Sequence, residues 1–577
     1  MTWTAGICRW DITPPAAEAA ELGRQLKTGE LIAQLLLNRG YGEAEAARAY
    51  LSPKLADLHD PEQLAGVPEA AERIFRAVRA GRKIVLYGDY DVDGMTGVAI
   101  LYRALKRLGA AVDYYIPHRV DEGYGLNQQA VEQLAGQGFA LMVTVDCGIR
   151  SESCIRRAGE LGLEVIVTDH HSLDGQLPGA LLVVHPALGG YPNRDLCGSG
   201  VALKLAWQLC RSASGARRVS DDLKEFLLDA TCMAALGTIA DIVPLRGENR
   251  VLATFGLKGL PATRHPGLRA LIAASGLLGR EVGAYDVGFL LGPRLNAAGR
   301  MGHARDAAEL LIHPELIDCD RAARALNSVN AERQRVEAET FEQAVEMIQQ
   351  AGCDGPAHRV IVLAREGWHP GVIGIVAARV VRRYCRPAVL IALDGPAGSG
   401  SGRSIPEFHL SDALTACAEH LASYGGHAMA AGLKIAADRV DAFRQALADY
   451  AAERIPVEAL TPALRIDAEV RLGQLSLPLV QQIESMGPFG AGNPPAVLAV
   501  RGAAMHAPPR RMGARGGTLG LLLTGPEGPV RCVGFGMGDA VDRLAGVRQV
   551  DVAGEPVINR YNGRQSVELH LKDLRWE

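Results

Sequence analysis

Short apolar runs alternate with amphipathic stretches from Lys83 onward, and this alternation predicts an α/β domain. The runs KIVLYG, AVDYYIP, ALMVTV and LEVIVT have the length and composition of buried strands. The stretches between them, such as GVAILYRALKRLG, carry apolar residues at helical spacing. Repeated β-α units of this kind are typical of a doubly wound parallel sheet, so we expect one here.

Other patterns divide the rest of the chain. A polar stretch between Cys319 and Cys353 has apolar residues at helical spacing and no proline or glycine before Gly352, which predicts one long helix joining two domains. A second, smaller α/β unit follows, and short strands from LRIDAEVRL to SVELHLKDL then suit a small β-barrel of OB type. The predicted domains are a helical segment at 1–80, the first α/β domain at 81–318, the long helix at 319–352, the second α/β domain at 353–455 and the barrel at 456–577.

Composition and charge narrow the classes of function. The formal net charge is -4, so contacts with nucleic acid are expected from local grooves or bound metal ions and not from an overall basic surface. The eleven cysteines lie scattered without a C-x-x-C pair, and the first residues lack a continuous apolar segment. No run of about 18 apolar residues occurs. We therefore expect a cytoplasmic protein without a membrane span.

Carboxylates and imidazoles follow three predicted strands. They are Asp89, Asp91 and Asp93 in GDYDVDG, Asp146 in TVDCG, and Asp169, His170 and His171 in TDHH, joined by Asp241 in GTIADIVPL. Sites in open α/β sheets lie beyond the carboxyl ends of the strands. One aspartate there is commonly a helix N-cap, but clustered carboxylates repel one another without a cation. The pattern predicts two divalent ions, for which the mixed ligands favour Mn²⁺, with Mg²⁺ as the alternative and Zn²⁺ less suited.

The spacing D-x-D-x-D-G also begins a calcium-binding EF-hand loop. That loop needs a bidentate glutamate at its twelfth position. Counted from Asp89, the twelfth position is Ile100. This residue excludes the calcium interpretation.

The motifs carry a resemblance to a known family. GDYDVDG, TVDCG, TDHH and GTIADIVPL, in this order, resemble the four motifs of the DHH phosphoesterase superfamily, and SGRS followed by YGGHAMAAG resembles its companion DHHA1 domain. NRGYGEAEAARAYLSPKLADLHDPEQL, GPRLNAAGRMGHA and GPFGAGNPPAV are similar to segments of the bacterial members that degrade single-stranded DNA. The resemblance spans nearly the whole chain.

The resemblance implies hydrolysis of phosphodiesters with two metal ions, usually Mn²⁺. The implied direct ligands are Asp91, Asp93, Asp146, His170 and Asp241, with Asp93 or Asp146 bridging the ions. Asp89 begins the loop and is expected to support the direct ligands without binding a metal ion itself. Asp169 is expected to orient a histidine, as carboxylates behind metal-bound imidazoles do. His171 is then expected to contact the scissile phosphate or the leaving oxygen.

The resemblance also implies how the substrate is held. Ser401 and Arg403 are expected at a 5′-phosphate, with Arg119 and Arg300 as partners, and His427 is expected to contact substrate. The glycines of GSGSGRS would let backbone N–H groups approach an anion. In the barrel, Phe489, Tyr561 and Trp576 are the expected stacking rings, with Arg510, Arg511 and Arg515 supplying charge.

The implied activity is exonucleolytic degradation of single-stranded DNA from 5′ to 3′, giving mononucleotides, in recombination and repair. The implied partners are single-stranded DNA-binding protein and a RecQ-type helicase, and the implied state is a monomer. One alternative is a relative that cleaves short oligonucleotides, cyclic dinucleotides or pyrophosphate, but such proteins lack the residues after Ala451. The other alternative is a non-catalytic scaffold. Every ligand position is filled in this sequence, which argues against that alternative.

Overall fold

The computed structural model describes residues 8–119, 121–173 and 175–576. Contacts divide the chain into two compact units. The first unit comprises Ala49–Arg333 and Gly487–Pro494; the second comprises Met1–Arg48, Gln334–Met486 and Pro495–Glu577. The predicted domain boundaries were placed by sequence motifs, whereas these two units are defined by contacts. The boundaries therefore remain predictions.

The first unit is built on the predicted parallel sheet, which is confirmed. Its strands lie in the order Val112–Tyr115, Ile84–Gly88, Leu141–Val145, Glu164–Thr168 and Leu182–Val184, all parallel. Every residue of the second and third strands in this order is buried, which explains why both read as continuous apolar runs. The strand order reverses between these two strands, so a crevice for a ligand is expected at their carboxyl ends.

Helices cover this sheet. Those of the first unit are Val67–Arg79, Val92–Arg107, Gln128–Gly136, Glu152–Glu160, Gly198–Ser214, Asp221–Ala240, Gly247–Gly259, Pro266–Ala274, Ala284–Asp286, Gly292–Met301 and Arg305–Ile312, with a π-helix at Val287–Leu291; Ala44–Leu51 spans the start of the unit. Val92–Arg107 is buried along most of its length and packs against Gly198–Ser214 and Asp221–Ala240. The first motif therefore opens the central helix of the core.

A single helix, Cys319–Ala351, begins in the first unit and ends in the second. The long helix predicted from apolar spacing is therefore present. None of the helices in the described part of the chain combines the length and apolar character that crossing a bilayer would demand.

The second unit contains a mixed sheet whose central strand was not predicted. The strands lie in the order Ser423–Gly426, Ala430–Ala436, Ala397–Arg403, Ala388–Asp394 and Ile361–Glu366, with helices Pro370–Tyr384, Leu410–Ala416 and Val440–Arg454. The central strand contains GSGSGR, and its residues pair with both neighbouring strands. The expected approach of free N–H groups from these glycines to an anion is therefore wrong.

Packing explains why this central strand is rich in glycine. A Cβ atom on Gly400 would lie 2.7 Å from Leu433 Cδ1, and one on Gly402 would lie 2.8 Å from Leu410 Cδ2. Side chains alternate across a strand, so the glycines face the core while Ser401 and Arg403 occupy the other face.

A seven-stranded sheet forms the C-terminal part, in agreement with the predicted OB-type domain. Its strands lie in the order Ala468–Glu469, Leu498–Ala504, Gln549–Tyr561, Arg564–Arg575, Gly528–Phe535, Thr518–Gly525 and Arg510–Met512, with helices Leu477–Glu484 and Ala540–Arg543. The N-terminal segment has the helices Ala19–Leu26 and Glu30–Asn38, but it also contributes the strand Arg9–Ile12, which pairs in parallel with Ala463–Ile466. The interpretation of 1–80 as helical did not include this strand, and residues 1–7 lie outside the described ones.

His265 gives the first unit a pH-dependent stability that can be measured. Its Nδ1 accepts a hydrogen bond from the N–H of Leu268 and its Nε2 donates to the carbonyl of Leu311, so the neutral ring caps Pro266–Ala274. Burial, with the charge of Arg103, lowers the pKa of His265 to about 3. Between pH 6.5 and about 3 the unfolded chain binds the extra proton, so stability falls as the pH falls.

We expect His265→Asn to flatten this dependence by up to about 1.4 kcal/mol per pH unit, because asparagine retains a capping oxygen and does not titrate. Urea unfolding at pH 4 to 7 measures it. His409→Asn, which changes an exposed N-cap histidine, is the matched control and should keep the wild-type slope. Identical slopes for His265→Asn and wild type would contradict the assignment.

Candidate metal centre

The acidic and imidazole side chains predicted from the strand ends meet at the crevice of the first sheet. Asp89 follows Ile84–Gly88, and Asp146 follows Leu141–Val145, on either side of the point where the strand order reverses. Asp241 follows the helix Asp221–Ala240, and His170 follows the strand next to that of Asp146. The Nε2 atom of His170 lies 3.0 Å from Asp146 Oδ1, 3.6 Å from Asp241 Oδ2 and 3.8 Å from Asp93 Oδ2. The four motifs therefore form one cluster.

The loop GDYDVDG places two of its carboxylates through backbone hydrogen bonds. Asp91 is the N-cap of Val92–Arg107, and its Oδ1 accepts from the N–H groups of Asp93 at 2.9 Å and Gly94 at 3.1 Å. The Asp93 carboxylate accepts from the N–H groups of Gly198 at 2.6 Å and Ser199 at 2.9 Å. Asp91 thus has the ordinary capping role and also faces the cluster. These contacts fix both carboxylates before any ligand binds.

Asp146 is held in an unusual backbone conformation. Its φ of 65° lies in the left-handed region, which few residues other than glycine adopt. Its N–H donates to the carbonyl of Thr168, which ties the end of its strand to the neighbouring strand. Such conformations are found at functional sites where the surrounding structure enforces them. This backbone conformation directs the Asp146 side chain into the crevice.

Asp169 orients His171. Asp169 Oδ1 accepts from the N–H groups of His170 and His171 and lies 2.7 Å from His171 Nδ1, while Oδ2 accepts from the N–H of Ile149. Burial alone would raise the pKa of Asp169, but the hydrogen bond and charge of His171 lower it to about 2. Burial lowers the pKa of His171, and the hydrogen bond to Asp169 outweighs this and raises it. The pair therefore favours a protonated His171.

Tyr124 is a site residue that the sequence analysis missed. Its hydroxyl lies 2.9 Å from His171 Nδ1 and donates to the carbonyl of Asp146 at 3.4 Å. It lies in the loop after Val112–Tyr115, where neither strand nor helix spacing gives a signal. Both contacts to the His171 ring use Nδ1, so Nε2 is the ring atom that can act on a substrate.

Three groups of ligand atoms in this cluster can each hold an ion. Within each group the atoms lie within 4.8 Å of one another; the groups are Asp89 with Asp91 and Asp146, Asp93 with His170 and Asp241, and Asp146 with His170 and His171. Asp89 Oδ1, Asp146 Oδ1 and His170 Nε2 are buried and none of them makes a well-aligned hydrogen bond, although the last two atoms lie 3.0 Å apart. Buried polar atoms are normally paired, so these three atoms fit a divalent cation.

The ionisation of the acids supports the same fit. Burial, followed by the charge of a neighbouring aspartate, raises the pKa of Asp91, raises the pKa of Asp241 to about 9, and raises those of Asp89 and Asp146 well above the ordinary value. Burial lowers the pKa of His170, which favours the neutral imidazole that binds metals. Bound divalent cations would offset the repulsion between these carboxylates. A set of ligands that combines carboxylate oxygens with an imidazole suits Mn²⁺.

Two glycines allow helices to approach the carboxylates closely. A Cβ atom on Gly198 would lie 2.6 Å from both Asp146 Cβ and Oδ1, and one on Gly237 would clash with Ser199 Oγ and Asp93 Oδ1. Gly198 starts the helix whose N–H groups bind Asp93, and Gly237 lies one turn before Asp241. In the sequence these two glycines lie in CGSGVALK and GTIADIVPL. Neither helical nor strand periodicity marks them as site residues.

The segment Gly487–Pro494, from the motif GPFGAGNPPAV, belongs to the first unit and fixes the chain just after Asp241. The N–H of Leu245 donates to the carbonyl of Ala491, and Arg246 Nε donates to the carbonyl of Gly492. Gly492 has a φ of 68°, and a Cβ atom there would lie 2.8 Å from Pro244 Cβ. Phe489, expected as a stacking ring of the barrel, lies in this segment instead.

The predicted substrate residues fall into two groups. In the first unit, the Arg119 guanidinium lies 4.8 Å from the centre of the Tyr90 ring. Burial raises the pKa of Asp89 and of Asp91, and the charge of Arg119 opposes this rise. Arg300 lies in the last turn of Gly292–Met301. Both arginines therefore lie on the first unit, which holds the acidic cluster.

Ser401, Arg403 and His427 lie in the second unit. Arg403 Nη1 donates to Ser401 Oγ at 3.2 Å, so the two side chains share one face of the central strand. His427 lies in the turn between Ser423–Gly426 and Ala430–Ala436, and its N–H donates to the carbonyl of Ala430. The structure thus joins Ser401 with Arg403 on one surface.

Family models match three parts of the chain. The model of the DHH family, N-terminal domain, matches residues 83–235, the DHHA1 domain matches 357–453, and the RecJ OB domain matches 466–573. The first match contains every predicted metal ligand except Asp241. The second contains Ser401, Arg403 and His427.

Curated relatives and solved structures agree with these matches. The single-stranded-DNA-specific exonuclease RecJ of Bacillus subtilis (strain 168) is 38% identical over 99% of this chain and 71% of that protein. The protein of the same name from Dickeya dadantii (strain 3937) is 34% identical over 94% of this chain and 96% of that protein. The crystal structure of RecJ with Mn²⁺ from Thermus thermophilus has a TM-score of 0.83 and 34% identity, covering 99% of this chain and 80% of that one; the same protein has also been crystallised with Mg²⁺.

Proposed function

The chain belongs to the RecJ family of single-stranded-DNA-specific exonucleases, and from this premise we propose which of its residues carry out the reaction. It is a metal-dependent enzyme that degrades single-stranded DNA from 5′ to 3′ and functions in recombination and repair. Its cofactor is Mn²⁺, with Mg²⁺ as the alternative. The observation that carries the proposal is the set of buried ligand atoms without hydrogen-bond partners at the switch point of the sheet.

We assign the metal ligands to Asp89, Asp91, Asp93, Asp146, His170 and Asp241. Asp146 would be the ligand shared by two ions, because it belongs to the group of Asp89 and Asp91 while its Oδ1 lies 3.0 Å from Nε2 of His170, which belongs to the group of Asp93 and Asp241. Asp89 is assigned as a direct ligand, because its Oδ1 is buried without a hydrogen-bond partner. When bound, two divalent ions supply a nucleophile from water near neutral pH and stabilise charge on the phosphate.

The protein itself supplies a proton donor. Asp169 holds His171 through Nδ1 and favours its protonated form, so Nε2 can donate to the oxygen that leaves when the phosphodiester breaks. Tyr124 steadies the same ring through its hydroxyl. Asp169 is therefore a positioning residue, while His171 acts on the reacting atoms. The product of each cycle is a mononucleotide.

The 5′-phosphate is assigned to Ser401 and Arg403, because a planar guanidinium beside a hydroxyl presents several donors to phosphate oxygens. Arg119 and Arg300 are assigned to the substrate backbone and His427 to a further substrate contact. We place the domain boundaries at 80, 318, 352 and 455, as the motifs indicate.

We also propose a monomer in the cytoplasm, with single-stranded DNA-binding protein and a RecQ-type helicase as partners. The cysteines in the structure are free thiols, which suits a reducing compartment. The family resemblance supports the partners, since a helicase would expose the strand on which this enzyme acts.

The test is a digestion in Mn²⁺ of long single-stranded DNA that carries a 5′-phosphate and a 3′ label, beside the same sequence as a blunt duplex. We expect the label to remain on progressively shorter strands while mononucleotides appear and the duplex survives. Release of the label as the first product would contradict the polarity. Cleavage of dinucleotides alone would favour the small-substrate alternative.

A further inference from the structure

One face of the mixed sheet in the second unit carries the same pair of side chains twice. Arg403 Nη1 donates to Ser401 Oγ at 3.2 Å, and Lys434 Nζ donates to Ser399 Oγ at 2.7 Å. Ser399 lies two residues before Ser401 on the central strand, so both pairs occupy the same face, roughly 7 Å apart along the strand. Each pair places a cation beside a hydroxyl. The proposed function uses only the pair of Ser401 and Arg403.

Two glycines leave the surface beside these pairs open. Gly432 lies opposite Ser401 on the neighbouring strand, and Gly425 lies opposite Gly432 on the edge strand. A Cβ atom on Gly425 would meet nothing within 4 Å, and one on Gly432 would meet only the carbonyl oxygen of Gly400 at 3.9 Å. Packing within this unit therefore does not require glycine at either position. A glycine in a strand that packing does not explain is typical of a place where a ligand approaches the backbone.

Lys434 has the surroundings of an anion-binding residue. It is exposed, and its ammonium group is oriented by the hydroxyl of Ser399. Among the residues that the structure describes, Lys434 pairs with no carboxylate that would neutralise it. An exposed lysine is ordinarily only solvated, but this one lies beside the proposed phosphate site and next to the open glycines. An ammonium group and a hydroxyl together present several hydrogen-bond donors to a phosphoryl group.

The proposed reaction determines which phosphate can lie there. When an exonuclease releases the first nucleotide of a strand, the phosphate that follows this nucleotide is the scissile one, which is assigned to the metal centre. A second phosphate beside the 5′-phosphate must therefore come from the outer side of that group. A 5′-triphosphate carries such phosphates, and its chain is long enough to reach from the first pair to the second.

We propose that Ser399 and Lys434 bind the terminal phosphate of a 5′-triphosphorylated single strand, and that the enzyme degrades strands with this end. Water adds its hydroxyl to the phosphorus between the first two nucleotides, the bond from that phosphorus to the 3′ oxygen breaks, and this oxygen gains a proton. The first product is a nucleoside triphosphate, and the shortened strand has an ordinary 5′-phosphate. A polymerase that begins a strand without a primer supplies such ends. This inference rests on the proposed function, because it takes the 5′-phosphate to lie at Ser401 and Arg403.

The first test compares two single-stranded DNA 20-mers of one sequence, with a 5′-triphosphate or a 5′-phosphate, in Mn²⁺. From the triphosphorylated strand the wild type should release a deoxynucleoside triphosphate first and mononucleotides afterwards, as mass spectrometry can measure. Lys434→Ala should raise KM about tenfold for the triphosphorylated strand only, because one charge-assisted hydrogen bond is lost. Lys434→Arg should keep the low KM. Arg439→Ala, which removes another exposed cation of the second unit, is the matched control and should change neither KM.

The second test fills the open surface. Gly432→Val should melt at the wild-type temperature or above it, because its Cβ atom meets open space and a β-branched residue suits a strand. The same variant should raise KM for the triphosphorylated strand several-fold, since the valine side chain occupies the space that the phosphates need. A stable Gly432→Val protein with the wild-type KM would overturn the proposal.

The other outcomes separate this site from the proposed function. An equal rise of KM for both strands in Lys434→Ala would assign the lysine to a backbone phosphate and overturn the proposal. No change for either strand would show a solvated lysine and overturn it too. A wild type that degrades the phosphorylated 20-mer but not the triphosphorylated one would have the same consequence. Failure of the wild type to degrade the phosphorylated 20-mer would instead contradict the proposed function itself.

Discussion

Replacing Asp146 with asparagine or alanine is expected to reduce Mn²⁺-dependent hydrolysis of single-stranded DNA by at least about a hundredfold, because even residues that only support metal ligands cost up to that much when changed. Asp146 belongs to the group of ligand atoms with Asp89 and Asp91, and its buried Oδ1 lies 3.0 Å from Nε2 of His170, which belongs to the group with Asp93 and Asp241. Its loss should therefore affect both proposed ions. The measurement is kcat on a 5′-phosphorylated 20-mer across a range of Mn²⁺ concentrations.

Stability distinguishes a lost ligand from a lost fold. Mn²⁺ at about a hundred times its Kd should stabilise the wild type by about 2.7 kcal/mol, and Asp146→Asn should lose most of this gain. The metal-free variant should melt at the wild-type temperature or above it, since one of several repelling buried carboxylates has been neutralised. Asp113→Asn, at an exposed position on the edge strand of the same sheet, is the control. Unchanged turnover in Asp146→Asn, or equal Mn²⁺ stabilisation, would refute the assignment.

Much of the metal centre could be predicted from sequence because strand ends of a parallel sheet converge. Asp89, Asp146 and His170 each follow an apolar run, and the geometry of such a sheet brings those positions together whatever the intervening helices do. Asp241 follows a helix, so the convergence of strand ends does not account for it; it was joined to the others because its carboxylate follows a largely apolar segment. Tyr124 lies in a loop without periodicity, and nothing in its sequence surroundings predicted its contact with His171.

The errors have a common physical cause in contacts between distant segments. Glycine is rare in strands, so GSGSGRS reads as a loop, but Leu433 and Leu410 fill the space beside it and exclude side chains from one face of the central strand. Phe489 reads as part of the barrel because its neighbours in sequence are, but the carbonyls of Ala491 and Gly492 accept hydrogen bonds from Leu245 and Arg246 in the first unit. The secondary-structure propensity of the residues around GSGSGRS and Phe489 cannot reveal these contacts with distant segments.

The second large effect is expected at a buried ion pair away from the metal centre. Lys204 Nζ contacts Glu248 Oε1, and the side chains of both residues are almost fully buried, with exposed fractions of 1% and 0%. Glu248 also accepts hydrogen bonds from the N–H of His59 at 3.0 Å and from the Tyr191 hydroxyl at 2.7 Å. The network joins three separate parts of the first unit. Burial lowers the pKa of Lys204, so this cation depends on its carboxylate partner.

Glu248→Ala should lower the free energy of unfolding by about 3–5 kcal/mol, because it leaves a buried cation without its partner and two donors without an acceptor. Urea unfolding measures the loss, and kcat per folded molecule should stay at the wild-type value. Glu225→Ala removes the partner of Arg264 in an exposed pair and should cause no measurable change. Replacing both Lys204 and Glu248 by methionine should recover part of the loss, since no charge is then left buried alone, while His59 and Tyr191 still lack their acceptor. A double variant as unstable as Glu248→Ala would show that the packing at this position, and not the unpaired charge, determines the cost.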